Sequence, residues 1–372
     1  MNMTQPSPQV DEILQNLTEA PPISADLLEG TFWRFFNLNG QVLTRFMVLA
    51  PQGLIGNFIS PSIDSWQIVN GRLCLVADNG LPSVVFNVAR VAGGKIVTLA
   101  GRGLVDGREA IYILQSVEHP AHPMFATPAS QDRKARFLVE PQTGARRPNL
   151  VVVPAGAKSL HPHWLEGVTG LTRNWDLCIG YYGAEQPQIA TPHEYLAHIP
   201  QTKKFRLLYN LFYEGSPLWQ YDAIWLPDDD LLTSGQDINR MFHIFHKFGL
   251  DLAQPSLKDG PGSHPNHPLT IQRAGSDVRY ETFVEIMCPI FSLRALRICM
   301  GSMRDVDSGY GLDHLWPALL GYPRSRIGII DAAAVVHTRP IGATYDIRGA
   351  IYEQAEVHRV YGHTMRQIVG VK

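Results

Sequence analysis

The chain reads as an α/β domain preceded by a small antiparallel all-β domain. Three observations predict this. Between residue 25 and about residue 118, apolar residues recur with a period close to two, and Asn-Gly pairs punctuate the runs. From Asn149 onward, short unbroken apolar runs alternate with segments of helical spacing, the pattern of a parallel sheet buried on both faces. Finally, the apolar run Ala223-Ile224-Trp225-Leu226 stops abruptly at Asp228-Asp229-Asp230.

Residues 1–24 are rich in Gln, Pro, Ser and Thr and read as a tail, in which Val10–Leu14 has the pattern to start a short helix. The β domain is expected over 25–125. Its strands are Phe32–Phe36, Val42–Leu49, Ser65–Val69, Arg72–Val76, Val84–Val88 and Ile96–Ala100. Asn39-Gly40, Asn70-Gly71, Asn79-Gly80, Gly93-Gly94 and Asp106-Gly107 turn them into a meander that closes as a barrel or sandwich. Trp33 and Trp66 are expected in its core rather than on a sugar-stacking surface. Residues 126–148 read as a linker carrying Gln131-Asp132-Arg133-Lys134-Ala135-Arg136. Arg136–Val139 is a candidate edge strand, and Arg146-Arg147-Pro148 marks entry to the α/β domain, 149–372.

Within that domain, Asn149–Val153, Asp176–Tyr182 and Asp222–Leu226 are expected strands and Lys203–Phe212 a helix. Ser234 is an N-cap with Asp237 completing a capping box. Ile238, Met241, Phe242, Phe245 and Phe248 follow at helical spacing until Gly249 closes the helix. The acidic run therefore sits between a strand's C-terminal end and a helix start, the edge at which open α/β sheets bind ligands.

Composition narrows the function classes. The chain has 372 residues, 45% hydrophobic and 18% charged, with a formal net charge of −2. That balance gives no bulk attraction for nucleic acid. Cys74, Cys178, Cys288 and Cys299 lack metal or redox spacing and read as reduced and buried. No apolar run is long enough for a transmembrane segment. A cytoplasmic protein is the expectation, with homo-oligomerisation left open.

Four features carry the chemistry. Three adjacent carboxylates repel one another, so a positive charge is expected among them. Mg²⁺ or Mn²⁺ with oxygen ligands suits a strand end and typically carries a diphosphate; the alternative is an acidic turn capping the next helix. Glu285 falls in the apolar stretch Arg279–Phe291, read as a strand. There a carboxylate needs a partner or a raised pKa, unless it faces solvent. Asp313 follows the glycine-flexed loop Gly309-Tyr310-Gly311 at a helix start, where an acid is held as carboxylate and can accept a proton; the alternative is an ordinary helix-start acid. Arg326–Pro340 reads as a strand pair running into His337, whose imidazole is either a Mn²⁺ ligand beside carboxylates or structural.

The order of acidic triplet, glycine-flanked acid and late histidine resembles the GT-A class of nucleotide-sugar glycosyltransferases. Here it is carried by Asp228-Asp229-Asp230, Gly311-Leu312-Asp313 and His337. The stretch Trp225–Pro340 resembles more closely the domain of unknown function 707 family, some of whose members carry the label "lysine-ketoglutarate reductase trans-splicing related". Its motifs are Trp225–Asp230, Asp237–Phe242, Leu252–Leu257, Phe283–Met287, Gly311–Pro317 and Val336–Pro340. The resemblance implies a GT-A-like, Rossmann-type domain that moves a sugar from a nucleotide-sugar donor, a UDP-sugar foremost, to a carbohydrate or other hydroxyl acceptor with inversion.

It further implies metal ligation by Asp230 and His337. Asp228 would sit at the ribose, donor sugar or metal, Asp313 would be the base, and Glu285 would be its backup. Pro154, Ala155 and Gly156 would line the base pocket with Asp176 nearby, and Arg339 would neutralise the diphosphate. The loop Gly260–Pro268 would be a mobile lid or acceptor loop, or a plain surface loop. Leu312 stands where the glycosyltransferase pattern often has Glu, leaving one carboxylate for the acceptor. Two other readings stay open: a metal-dependent nucleotidyl- or phosphotransferase, and a non-catalytic carbohydrate- or nucleotide-binding protein.

Overall fold

A computed structural model describes residues 17–120, 134–141, 146–340, 342 and 346–362. The candidate helix at Val10–Leu14 and the linker residues Gln131–Arg133 lie outside them. The chain forms two compact units. The first comprises Met1–Pro120 with two later pieces, Ala318–Tyr322 and His358–Thr364. The second holds the remainder, so neither unit is one uninterrupted stretch of sequence.

In the first unit the strands are β1 (Thr18–Glu19), β2 (Thr31–Asn37), β3 (Val42–Leu49), β4 (Ile55–Gly56), β5 (Ser65–Val69), β6 (Arg72–Val76), β7 (Pro82–Ala92), β8 (Lys95–Val105) and β9 (Arg108–Ser116). They pair antiparallel in the order β4-β3-β2-β9-β8-β7-β6-β5, with β1 against β7. A bridge between Leu54 and Ser65 links the two ends of that path, so the meander closes on itself. Asn70 and Gly71 both take positive φ (49° and 73°), the two-residue turn whose twist matches its flanking strands. Strand β9 has no counterpart in the period-two reading, yet it lies between β2 and β8. Trp33 and Trp66 are buried in this core. Their indole N–H groups donate to Thr31 Oγ1 (2.7 Å) and the Ala50 carbonyl (2.8 Å).

The second unit is built on a mixed sheet of β10 (Phe137–Val139), β11 (Asn149–Ala155), β12 (Trp175–Tyr181), β13 (Tyr195–His198), β14 (Ala223–Trp225), β15 (Leu231–Leu232), β16 (Leu252–Leu257), β17 (Val278–Tyr280), β18 (Ile290–Ser292) and β19 (Ile327–His337). Their order is β10-β13-β12-β11-β14-β18-β16-β19-β15, with β17 also on β19. β13, β12, β11 and β14 are mutually parallel, and β10 is an antiparallel edge strand. Sequence order runs outward from β11 to β12 and β13, then reverses to β14. The sheet edge beyond the C-terminal ends of β11 and β14 is thus a topological switch point.

The α-helices of the described residues are α1 (Lys204–Leu211), α2 (Gly235–Lys247), α3 (Leu293–Cys299), α4 (Leu312–Leu319) and α5 (Ile347–Tyr361). The start of α2 follows its sequence signals. Ser234 Oγ accepts from the Asp237 N–H (3.2 Å) and donates to Asp237 Oδ2 (2.9 Å), while Ile238, Met241, Phe242 and Phe245 are buried. Gly249, at φ +60°, ends it.

Two expectations are corrected here. The stretch Arg326–Pro340 holds one long strand, β19 (Ile327–His337), instead of a pair: its register against β16 slips at Pro255/Ser256 without breaking the strand. Glu285 lies in the irregular segment between β17 and β18, outside any strand. The apolar residues around it are buried through that segment, which imitates the pattern of an inner strand.

Candidate active site

The acidic triplet leaves β14 at the switch point, and each carboxylate meets a different environment. Asp228 Oδ1 accepts from Lys204 Nζ at 2.6 Å. The same ammonium donates to the carbonyls of Ile286 (2.8 Å) and Met287 (3.0 Å). Asp229 is 6% exposed and fully engaged. Its Oδ2 accepts from the Gly156 N–H (2.9 Å) and the Tyr182 hydroxyl (3.0 Å), and its Oδ1 from Arg339 (2.9 Å). Asp230 faces His337: Nε2 lies 3.6 Å from Oδ2, and Arg339 is 3.7 Å from the same oxygen. Asp230 Oδ1 is buried without a partner.

The protein thus supplies two of its own cations, Lys204 and Arg339, to a triplet expected to need one from outside. Lys204 escaped the sequence reading because its partner is distant in the chain. One local signal existed: a lysine as first residue of α1 opposes the helix dipole and needs a compensating acid.

His337 ends β19, which pairs antiparallel with β15 so that Leu231 sits opposite His337. Its Nδ1 donates to the His264 carbonyl at 2.8 Å, and its carbonyl accepts from the His264 N–H at 2.9 Å. This orients the ring so that Nε2 faces Asp230, with a lone pair when the imidazole is neutral and with an N–H when it is protonated. Burial lowers the imidazole pKa, but bonds to Asp230 and His264 and the carboxylates of Asp230 and Asp228 outweigh it, and the net shift is upward. The loop Gly260–Pro268 is accordingly pinned at His264.

Glu285 lies within electrostatic reach of this cluster, and Asp313 within reach of Glu285. Glu285 is 4% exposed. Its N–H donates to Gln254 Oε1 (2.6 Å), and its Oε2 is buried without a partner. Burial pushes its pKa up to about 8; His337 opposes this, while Asp313 and Asp228 add to it. Asp313, second residue of α4, accepts from the His314 N–H at 2.9 Å. Burial nevertheless raises it to about 6 against that bond and the nearby His267. The helix start was expected to keep Asp313 an easy carboxylate; desolvation is the larger effect. Two acids held at different pKa values is the pattern by which one site separates a proton acceptor from a proton carrier.

Not every expected residue arrives. Asp176 belongs elsewhere: it pairs in register with Leu150 at the start of β11, whereas the site lies at the other end, where Pro154 pairs with Gly180. Its carboxylate is taken by Arg147 (2.5 Å) and Tyr221 (2.7 Å). Pro154 and Ala155 reach the correct edge, but both are buried, so only Gly156 of that trio offers surface. Arg339 is at the site, bound to Asp229 and to the Lys158 carbonyl (3.1 Å).

Among the described residues, no group of three or more His, Cys, Asp or Glu side chains is placed to hold a metal by itself. Asp230 and His337 still fit a hard or borderline divalent ion. They are 3.6 Å apart, the imidazole is oriented by a backbone carbonyl, and one buried carboxylate oxygen lacks a partner. Mg²⁺-type sites often have one or two protein ligands, with substrate phosphates completing the shell.

The comparisons agree with the motifs at the level of family. Residues 198–361 match the model of the family described as "Protein of unknown function (DUF707)". No curated protein matches the chain. Three solved structures of S. aureus TarS, residues 1–349, are similar over 57% of this chain. One without a stated ligand shares 7% identity (TM-score 0.34, 71% of that chain). One in complex with UDP-GlcNAc shares 9% (0.42, 65%), and one in complex with UDP shares 8% (0.35, 64%). No helix of the described residues is long and apolar enough to cross a membrane.

Proposed function

We propose that the second unit is a GT-A-type glycosyltransferase that moves a sugar from a UDP-sugar to a hydroxyl acceptor with inversion, aided by Mn²⁺ or Mg²⁺. The observation that supports this is the meeting of Asp230 and His337, 107 positions apart in number, with Glu285 in electrostatic reach of His337 and Asp228, and Asp313 in reach of Glu285. Asp230 and His337 would hold the ion, which when bound would neutralise the departing diphosphate. Gly156, at the end of β11, would meet the nucleotide. Arg339, its side chain one-third exposed, would add positive charge for the phosphates. Asp313 would take the acceptor's proton as its oxygen attacks the anomeric carbon. Glu285, protonated at neutral pH, would donate a hydrogen bond rather than act as a second base.

Calorimetry with UDP, with and without Mn²⁺, and assay of UDP release from UDP-GlcNAc, UDP-glucose and UDP-galactose test the proposal. Asp230→Ala and His337→Ala are expected to weaken Mn²⁺-dependent UDP binding by at least about 10-fold. Asp313→Asn should leave binding intact and abolish turnover. Wild-type turnover retained in all three variants would remove the assignment. One observation favours a second reading, nucleotide binding without a cation: Lys204 and Arg339 already neutralise Asp228 and Asp229. UDP affinity indifferent to Mn²⁺, with no UDP release from any donor, would select it.

A further inference from the structure

Glu353 is a buried carboxylate, 2% exposed, on α5, and the chemistry above makes no use of it. Its partners are three consecutive backbone N–H groups and one hydroxyl. Asp307 N–H donates to Oε2 at 2.8 Å and Gly309 N–H to Oε1 at 2.7 Å. Ser308 donates through its N–H (3.1 Å) and its Oγ (2.7 Å) to Oε1. Successive backbone N–H groups turned toward one point form a concave cradle for an anion, and here the Glu353 carboxylate fills it. Charge-assisted bonds of this kind are about twice as strong as neutral ones. The clamped segment runs directly into Gly309-Tyr310-Gly311 and then Asp313.

The two glycines show how closely that path is defined. Gly309 (φ +80°) has no room for a Cβ, which would stand 2.0 Å from the Phe205 ring. Gly311 takes φ +93°. Residues 309 and 311 can therefore swing easily in backbone terms, and something outside the loop must hold one conformation. Phe205 supports it by packing, and Glu353 by hydrogen bonding.

We propose that Glu353 is a positioning residue that clamps residues 307–309 and so sets the place of Asp313; this rests on the reading of Asp313 as the base. The carboxylate form is required. An amide at this position would turn an N–H₂ toward donors that need an acceptor, and an aspartate would fall short by one methylene while keeping the charge.

The test compares Glu353→Gln, Glu353→Asp and Ser308→Ala in the full chain, with thermal unfolding as a check of folding. Amide hydrogen exchange over residues 305–313 should rise in Glu353→Gln, with the rest of the unit unchanged. Unchanged exchange in that peptide would overturn the clamp whatever the protein's activity. UDP release from UDP-GlcNAc should fall at least about 10-fold in kcat, with KM for the donor and UDP affinity preserved. Glu353→Asp should recover part of the loss, and Ser308→Ala should show a smaller one. A residue with a merely structural role would lower the unfolding midpoint and leave kcat of the folded fraction unchanged, and that result would refute positioning. A wild-type protein that releases no UDP from any donor would defeat the glycosyl-transfer reading, and with it the link to Asp313, whereas the exchange result reports on the clamp separately.

Discussion

Asp313 and Glu285 show how burial, rather than residue type, sets the pKa of a carboxyl group. Asp313 loses its proton at about pH 6 and Glu285 at about pH 8. If the first must be ionised and the second protonated, kcat/KM for donor turnover should rise through about pH 6 and fall through about pH 8. Glu285→Gln should keep the rate at pH 7 within a few-fold and lose the alkaline fall, since the amide mimics the protonated acid. A Gln variant that is inactive at pH 7 would mean that Glu285 works as a carboxylate. Stability gives an independent check. The folded-state pKa of Glu285 lies above its ordinary 4.5, so its favourable contribution is complete below that value and is lost as pH rises through about 8. Glu285→Gln should therefore gain in unfolding midpoint relative to wild type between pH 5 and pH 9, by several degrees at the upper end. The need of this carboxylate for a partner or a raised pKa was legible in the sequence; its position outside a strand was not, because buried loops and inner strands share one composition.

At the scale of elements, the first turn of α1 is joined to the acidic strand end by a single side chain. Lys204 ties Asp228 to the turn carrying Ile286 and Met287, next to Glu285. Lys204→Met keeps the aliphatic stem but takes this donor from the Ile286 carbonyl and the Asp228 carboxylate, while the Met287 carbonyl keeps the Asp228 N–H (2.8 Å). The expected cost is about 1–3 kcal/mol of stability, measured by urea unfolding, with a matching loss of UDP affinity. Stability and affinity both unchanged would show that the turn holds without the lysine. Local signals worked where an element is closed by its neighbours in sequence: Ser234, Asp237 and Gly249 bound α2 as their chemistry dictates. They failed where an element is held by a distant partner. Nothing near Lys204 names Asp228, nothing near Asp307–Gly309 names Glu353, and only the parallel register of β11 and β12 shows that Asp176 lies at the wrong end of the sheet.

At the scale of the molecule, the change of pattern at Asn149 divides β from α/β, but it hides a return of the chain. Ala318, Leu319 and Leu320 are 2%, 0% and 3% exposed, and they belong to the first unit although they follow the start of α4, which lies in the second. Asn57 secures both returning pieces: its N–H donates to the Ala318 carbonyl (2.8 Å) and its Nδ2 to the Tyr361 carbonyl (2.8 Å). Beside it, Gly56 leaves no space for a side chain, since a Cβ would lie 2.1 Å from the Leu319 carbonyl oxygen. Gly56→Ala must push a backbone carbonyl aside, and about 1–3 kcal/mol of destabilisation is expected by urea unfolding. The larger consequence concerns where the chain can be cut. A protein starting at residue 121 removes every early partner of residues 318–322 and 358–362, baring an apolar Ala-Leu-Leu run and freeing carbonyls that Asn57 satisfied. Such a chain should be largely insoluble, or unfold without the cooperative transition of the full-length protein. A soluble 121–372 fragment with a sharp unfolding transition and undiminished UDP binding would show that the returning pieces do not depend on the β strands, and that the early β region is separable from the site.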